Sequence, residues 1–145
     1  MFEPYSIGAI PRDRCWGPRS DGKTWEPVIA VELSNKGFSS KRLRGIVDSG
    51  SEVTLFQGYI GDQIGLSVRS GPSYPIRLAA QSGAPLAYFH EVNMKVTSGS
   101  VRIMAGFCYE LGVPALLGRH GFFEHFRVTF DPSRMGMQIE PFQRD

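Results

Sequence analysis

Apolar and polar residues alternate one by one along several stretches of this chain, and this period of two strongly constrains the fold. Val92, Met94 and Val96 alternate with polar residues within Glu91–Val96, and Val101–Phe107 repeats the pattern after a Ser98–Ser100 turn. Successive side chains of a strand point to opposite faces, so this alternation is typical of half-buried β-strands. No stretch of about ten residues repeats with helical spacing. We therefore predict an all-β chain of short strands and exclude the α/β classes. The 17 glycines and 10 prolines supply the turns between the strands.

Length and charge narrow the class of protein further. The chain has 145 residues, which suits one domain, and 16 basic against 14 acidic residues leave a net charge of +2. That balance argues against nucleic-acid binding as the main role. No apolar run approaches the length of about 18 residues that a membrane span requires, and Glu3 and Pro4 interrupt the region where a signal peptide would be apolar. We expect a soluble cytoplasmic domain, or a fragment of a longer chain, with Cys15 and Cys108 reduced.

The chain divides by composition into an arm and a domain. Residues 1–24 are rich in proline, glycine and aromatics without a period, which indicates an extended N-terminal arm, and residues 25–145 form the domain. The segments Pro75–Ala80 and Pro85–Val92 flank a small polar stretch and predict a long hairpin. We predict one short helix near the C-terminal end, around Gly121–His125. For Tyr59–Leu66 the sequence leaves open one helical turn or a loop.

The segment from Gly45 to Leu55 is the strongest candidate for chemistry. An apolar strand runs into Asp48-Ser49-Gly50 and then into a second apolar strand. Asp-Ser-Gly is by itself a common turn sequence. A carboxylate between two buried strands, however, has its pKa raised by burial unless hydrogen-bond donors face it, and Ser49, Gly50 and Ser51 can supply such donors.

A second segment, Val113–Phe126, contains an apolar strand that meets Gly118-Arg119 and then several aromatic residues. Taken together, the two segments resemble the retropepsin family of aspartic proteases. Val47–Ser51 is similar to the Asp-Thr/Ser-Gly-Ala/Ser signature of that family, and Leu116–Arg119 is similar to its apolar-apolar-Gly-Arg motif. The order of the motifs also matches, with the hairpin between them, and the resemblance covers Trp25–Pro141.

The resemblance implies a small closed β-barrel with a flap hairpin and one short C-terminal helix. It also implies peptide hydrolysis by two carboxylates that share one proton and activate a water molecule, without metal or cofactor. This chain has a single Asp-Ser-Gly, so the dyad requires a homodimer in which each subunit contributes Asp48. The terminal strands would complete the dimer interface, with Met135–Ile139 as the apolar candidate.

The resemblance also assigns roles to the residues beside Asp48, the catalytic acid and base. Ser49 would bond across the dimer interface, and Gly50 would let the substrate backbone approach. The Ser51 hydroxyl would donate to the carboxylate and lower the pKa of the dyad, which predicts an acid-shifted pH optimum. Glu52 stands where the family usually has Asp and would pair with Arg119.

Substrate contacts are expected from the same turn and from the hairpin. An extended peptide would lie between the active-site floor and a flap whose tip is Gln81-Ser82-Gly83. Gly50, Glu52 and Leu116 would contact it from the floor. The central cleft would be lined by Val47, Asp48, the flap tip and apolar residues near Ala115 and Leu116.

Other functions stay open from the residues alone. A non-catalytic peptide-binding or dimerisation module on the same fold is the main alternative, since fold does not prove activity. A single-stranded nucleic-acid binder using Lys41, Arg42 and Arg44 is a weaker one. The three histidines have no cysteine or acidic partners at zinc-ligand spacing, so no metal site is expected.

Overall fold

The computed structural model of the chain describes residues 1–9, 23–77 and 83–142. Most of its regular structure is β-strand, as the alternation predicts. The strands within these residues are β1 (Phe2–Pro4), β2 (Ser6–Ala9), β3 (Lys23–Glu26), β4 (Val28–Asn35), β5 (Phe38–Ser39), β6 (Leu43–Val47), β7 (Leu55–Gln57), β8 (Ser73–Pro75), β9 (Leu86–Val96), β10 (Gly99–Cys108), β11 (Ala115–Leu117), β12 (Phe126–Asp131) and β13 (Gly136–Pro141).

Six of the strands close into a barrel. Their order is β4-β6-β11-β7-β10-β9, and pairing of β4 with β9 closes the ring. The predicted Asn35–Gly37 turn joins β4 to the short strand β5, and both Lys36 and Gly37 have positive φ, as a tight hairpin turn requires. The prediction of a small closed all-β fold is confirmed.

The barrel encloses the main hydrophobic core. In β9 the side chains of Val92, Met94 and Val96 are buried while their neighbours Asn93 and Lys95 are exposed, so the predicted alternation is confirmed. Each such buried side chain stabilises the fold by about 1.5–3 kcal/mol relative to exposure. The paired strand β10 continues the same inward face, and the core therefore lies between opposite walls of the barrel.

The predicted position of the helix is wrong. Residues 121–125 form hydrogen-bonded turns, because Gly121 has a φ of +99° and a right-handed helix cannot include that conformation. The α-helix found in the described residues is α1 (Gly58–Gln63), directly after β7, and the Gln57 side chain caps it by accepting the Tyr59 N–H. A Cβ on Gly58 would lie 2.4 Å from the Tyr109 ring, so close packing explains the glycine in this helix.

The two ends of the chain meet in a separate three-stranded sheet with the order β1-β13-β12. The N-terminal strand β1 pairs antiparallel with β13, and Tyr5 stacks on Trp25 with ring centroids 4.1 Å apart. Met137 and Ile139 are buried in the core of their own chain. The expectation that Met135–Ile139 offers an apolar face to a partner is therefore wrong for these two side chains.

No helix among the described residues has the length and apolar character needed to cross a membrane. Cys108 is buried and forms no disulfide. Burial is the largest cause that raises the pKa of its thiol. Cys15, also expected to be reduced, lies outside the described residues.

Candidate active site

Asp48 lies on a turn that the barrel strands hold from both sides. The chain enters this turn from β6 and leaves it into β7, and β11 lies between these two strands and pairs with both. The Asp48 N–H donates to the Leu117 carbonyl at 2.9 Å, so the turn is attached to the end of β11. Strands β6 and β7 therefore hold the two ends of the turn, and their shared partner β11 fixes the backbone of Asp48.

One of the donors expected from the sequence, the Gly50 N–H, faces the Asp48 carboxylate. The Gly50 N–H donates to Asp48 Oδ1 at 2.9 Å, and the Ser51 N–H donates to the Asp48 carbonyl at 3.1 Å. The Asp48 side chain is half-buried, while Ser49 and Gly50 are exposed. The carboxylate is therefore oriented by its own turn and still reaches the surface.

The Ser51 hydroxyl makes a different bond from the expected one. It donates to the Val53 carbonyl at 2.7 Å. A serine hydroxyl has one proton to donate, so this bond excludes simultaneous donation to the Asp48 carboxylate. The prediction that Ser51 stabilises the ionised carboxylate is wrong in this structure, and the acid-shifted pH optimum loses its basis.

Arg119 ties the Asp48 turn to the segment that follows β11. Its backbone N–H donates to the Ser51 carbonyl at 2.9 Å, and its Nη1 donates to the Ser49 carbonyl at 3.0 Å. The expected ion pair with Glu52 is not formed, because the guanidinium turns toward the Ser49 carbonyl. Glu52 instead contributes a main-chain bond to the contact between the two segments: its carbonyl accepts the His120 N–H at 2.9 Å.

Gly118 is the point of closest approach between the two motif segments. A Cβ at this position would lie 2.2 Å from the Val53 carbonyl oxygen and 2.7 Å from that of Ser51. Real Cβ atoms do not come so close to backbone atoms, so no other residue fits without separating the segments. Steric crowding by these backbone atoms therefore explains why the second motif has glycine at this position.

Thr54 is a structural residue of the site that the sequence analysis missed. Its side chain is fully buried, its hydroxyl donates to the His120 carbonyl at 2.7 Å, and the same oxygen accepts the Gly118 N–H at 3.1 Å. The sequence did contain a signal for this role: Thr54 is a polar residue between the apolar Val53 and Leu55, and a hydroxyl buried there needs hydrogen-bond partners.

A groove of about 450 Å³ lies beside the turn. One wall comes from the turn itself and the other from the hairpin that begins at β8. Its lining residues are Gly50, Ser51, Glu52, Val53, Leu55, Tyr74, Pro75, Ile76, Arg77 and Arg119. The lining of the groove therefore combines apolar side chains with two arginines and one glutamate.

A second, smaller hydrophobic cluster underlies this groove. Leu116 is half-buried and packs against a cluster that includes Leu55, Ile76 and Cys108. Val47 and Ala115 are buried in the main core instead. The expectation that these two residues line the cleft is therefore wrong, because their strand positions point into the barrel.

The base of the predicted flap is a hairpin of β8 and β9. Ser73 faces Tyr88, and the Ile76 N–H donates to the Pro85 carbonyl at 3.0 Å. Gly83 is exposed with a φ of +90°. Gln81 and Ser82, the expected substrate contacts at the tip, lie outside the described residues.

Other polar clusters in the described ranges do not form a second centre of this kind. No group of three His, Cys, Asp or Glu side chains in those ranges is arranged to hold a metal ion. Lys41, Arg42 and Arg44 are exposed, and Arg44 donates to the Ser6 hydroxyl at 2.9 Å.

The closed six-stranded barrel is a retropepsin-like fold. A retropepsin-like aspartic protease from Rickettsia conorii superposes with a TM-score of 0.57 and 13% sequence identity, covering 97% of this chain and 96% of that one. The retroviral protease-like domain of Ddi1 from Leishmania major superposes with a TM-score of 0.53 and 8% identity, covering 81% and 94%. No protein-family model and no curated protein sequence matches the chain.

Proposed function

We propose that this protein is an aspartic endopeptidase that acts as a homodimer, with Asp48 of each subunit forming the catalytic dyad. The observation that carries the proposal is the Asp48 turn. Its carboxylate accepts the Gly50 N–H, its backbone is attached to β11, and the half-buried side chain reaches the surface beside a groove. The two solved structures named above support the fold on which this turn lies.

The chemistry requires two carboxylates at one site. Two carboxyl groups about 3 Å apart cannot both ionise, so the pair holds one proton. The ionised member accepts a proton from water, the resulting hydroxide attacks the peptide carbonyl, and the protonated member donates to the carbonyl oxygen. The tetrahedral intermediate then collapses: the C–N bond breaks, the leaving amine nitrogen takes the proton that came from water, and the other carboxylate takes back the proton of the carbonyl oxygen, so that the pair again holds one proton. The pair titrates as a unit, and its apparent pKa values belong to both subunits.

The substrate we propose is a peptide in an extended conformation. The groove beside Gly50 is bounded by strand β8, and a peptide strand lying there can bond to exposed main-chain groups. Ile76 and Leu55 contribute apolar side chains to the lining of the groove. Arg77 and Arg119 outnumber Glu52 among the lining residues, and their net positive charge would attract acidic substrate residues.

The proposal is tested by comparing the wild type with Asp48→Asn on a peptide library between about pH 3 and pH 8. We expect cleavage by the wild type and a loss of at least about 10³-fold in the variant, since an amide cannot take the proton of the water. Asp62→Asn is the matched control, because Asp62 is an exposed carboxylate that accepts the Tyr109 hydroxyl.

Sedimentation of both variants completes the test. Asp48→Asn should keep the assembly of the wild type, so that lost activity reports chemistry alone. Cleavage that survives in Asp48→Asn would overturn the mechanism. A wild type that binds extended peptides without cleaving them would support the non-catalytic module instead.

A further inference from the structure

The basic segment Lys41–Arg44 is not used by the proposed peptidase. Arg44 lies on β6 with an exposed side chain, and Arg42 directly precedes that strand. Strand β6 ends beside Asp48, and Arg42 and Asp48 are therefore about 20 Å apart along an extended chain. The groove beside Asp48 has other lining residues. The basic segment thus belongs to a different surface of the molecule.

Pairing of β4 brings a further cation close to this segment. On one side of β4, Ala30 is paired with Arg44 of β6, and on the other side Glu32 is paired with Lys95 of β9. Ala30 and Glu32 alternate with buried residues of β4, so both point away from the core. Directly paired residues lie on the same face of a sheet. Arg44 and Lys95 therefore share the outer wall of the barrel with Ala30 and Glu32.

Two grooves cross this wall and adjoin each other. The first has a volume of about 410 Å³, and its lining includes Glu32, Arg42 and Lys95. The second has a volume of about 360 Å³, and its lining includes Arg42 and Arg44. Ala30 lines both grooves, and its small side chain leaves space between the neighbouring strands. We call this surface, which comprises Ala30, Glu32, Arg42, Arg44 and Lys95, the basic wall.

The cations of the basic wall are available to a ligand. Arg42, Arg44 and Lys95 are exposed, and among the described residues none of them forms an ion pair. Arg44 uses one N–H of its guanidinium to donate to the Ser6 hydroxyl at 2.9 Å, and a guanidinium has five such donors. Three cations against the single carboxylate of Glu32 give the basic wall a net positive charge. The surface is therefore complementary to an anionic ligand.

We propose that the basic wall binds an extended, acidic peptide segment of a partner protein. In an extended chain, alternate side chains lie on the same face about 7 Å apart. Arg42 and Arg44 have the same two-residue spacing, so carboxylates at alternate peptide positions can each meet one guanidinium, which binds a carboxylate through two parallel hydrogen bonds. Lys95, on the far side of β4, adds a point charge for a third carboxylate. The ligand is thus a segment with aspartate or glutamate at every second position.

A single-stranded nucleic acid fits the basic wall less well than a peptide. Such ligands stack their bases on exposed aromatic side chains in addition to the phosphate contacts. Of the described residues that line the two grooves, Tyr5 is the aromatic one, and it is 5% exposed with its ring stacked on Trp25. Glu32, on the strand between Arg42 and Lys95, would repel a phosphate backbone. A peptide can place a neutral side chain opposite that carboxylate.

A labelled acidic peptide tests the basic wall. The probe is fluorescein-labelled Ser-Glu-Val-Glu-Val-Glu-Ser, and its binding to Asp48→Asn, which should not cleave it, is measured by fluorescence anisotropy. We expect the further change Arg42→Ser/Arg44→Ser to raise Kd about tenfold, because two ion pairs with the peptide are lost.

The matched control is Arg102→Ser/Arg127→Ser in the same background. It removes the same charge from two other exposed arginines, and it should raise Kd less than about twofold, because distant charges are screened by salt. Equal losses of affinity in the two double variants would mean that the peptide responds to overall charge alone, and the proposal would be overturned.

Glu32→Gln tests the basic wall through a gain of affinity. The change removes the carboxylate that opposes an acidic ligand, and we expect Kd for the labelled peptide to fall about threefold. Glu140→Gln changes the charge of the chain equally at an exposed position on β13, and it should alter Kd less than about 1.5-fold. A fall in Kd cannot result from misfolding. An unchanged Kd in Glu32→Gln would contradict the proposal.

A second probe and a second site complete the test. Oligothymidylate of about ten nucleotides should bind more weakly than the peptide, and tighter binding through Arg42 and Arg44 would overturn the proposal in favour of a nucleic acid. Arg77→Ser changes the groove beside Asp48 and should alter Kd for the peptide less than about twofold. If Arg77→Ser weakens binding and Arg42→Ser/Arg44→Ser does not, the peptide lies in the groove beside Asp48 and the basic wall is not its site.

The basic wall does not depend on the proposed function. Binding that responds to Arg42, Arg44 and Glu32 in a protein without peptidase activity would uphold the basic wall and overturn the peptidase. Cleavage by a protein whose basic wall binds no acidic peptide would do the reverse.

Discussion

The Asp48 turn and the terminal sheet differ in how many of their main-chain N–H and C=O groups are hydrogen-bonded within the chain. In the turn, the backbone groups of Asp48, Gly50 and Ser51 are bonded within the chain. In the sheet, strand β12 has a partner on one side only. A group that must hold a fixed geometry is surrounded by bonds, whereas a surface that can recruit a partner keeps some of them free.

The largest effect should come from Gly118→Ala. The added methyl would lie 2.2 Å from the Val53 carbonyl oxygen, so the backbone must move apart at the tightest point of the site. We expect a loss of about 3 kcal/mol or more in the free energy of unfolding, measured by urea titration. Gly112→Ala is the control, since nothing lies within 4 Å of a Cβ there, and it should change stability by less than about 0.5 kcal/mol.

Thr54→Val should have the next largest effect. Valine keeps the shape but removes the hydroxyl that bonds both the His120 carbonyl and the Gly118 N–H. Two buried polar groups would lose their partner, at a cost of about 2–3 kcal/mol. Thr54→Ser retains the hydroxyl and should recover most of that loss in the same unfolding measurement. Equal stability of the two variants would show that these bonds contribute little.

The open edge should tolerate change far better than the turn. Phe130→Thr keeps a residue with high strand propensity at a side chain that is 42% exposed. We expect a cost below about 1 kcal/mol in monomer unfolding, measured at concentrations below dimerisation. A loss as large as that of Thr54→Val would mean that Phe130 belongs to the folding core, and the contrast between the two regions would fail.

The smallest effect is a pH dependence at Asp131. A hydrogen bond from Ser133 is the largest cause that lowers the pKa of this carboxyl below its ordinary value of 3.8, and Arg134 contributes as well. A lowered pKa in the folded state gives stability that is present above the unfolded pKa and is lost as the pH falls through the folded value. Thermal melts of the wild type should therefore lose a little more stability below about pH 4 than melts of Asp131→Asn. Parallel curves would contradict this.

Much of the fold was predictable because it follows local rules. Alternation located β9 and β10, and the Asn35–Gly37 sequence located a tight turn. The helix was misplaced because its position depends on packing. Gly61 in α1 is unfavourable for a helix in isolation, but a Cβ there would lie 2.6 Å from Val68 and 2.9 Å from Phe107.

The candidate site was predictable in its residues more than in its contacts. The two motif segments do meet, and Gly118 and Arg119 lie against the Asp48 turn. The partners of Ser51 and Arg119 were predicted wrongly. Each of these side chains had several acceptors within reach, and the sequence does not rank acceptors that become neighbours only after folding.

The sequence alone determined an all-β chain and a carboxylate on a turn between two apolar strands, because period-two patterning and turn chemistry act over a few residues. Only the tertiary structure decided that the Arg119 side chain bonds to Ser49, 70 positions away, that Thr54 supports the turn, and that β12 keeps an open edge. Those features depend on which strands become neighbours, and that choice is made by the packing of the whole core.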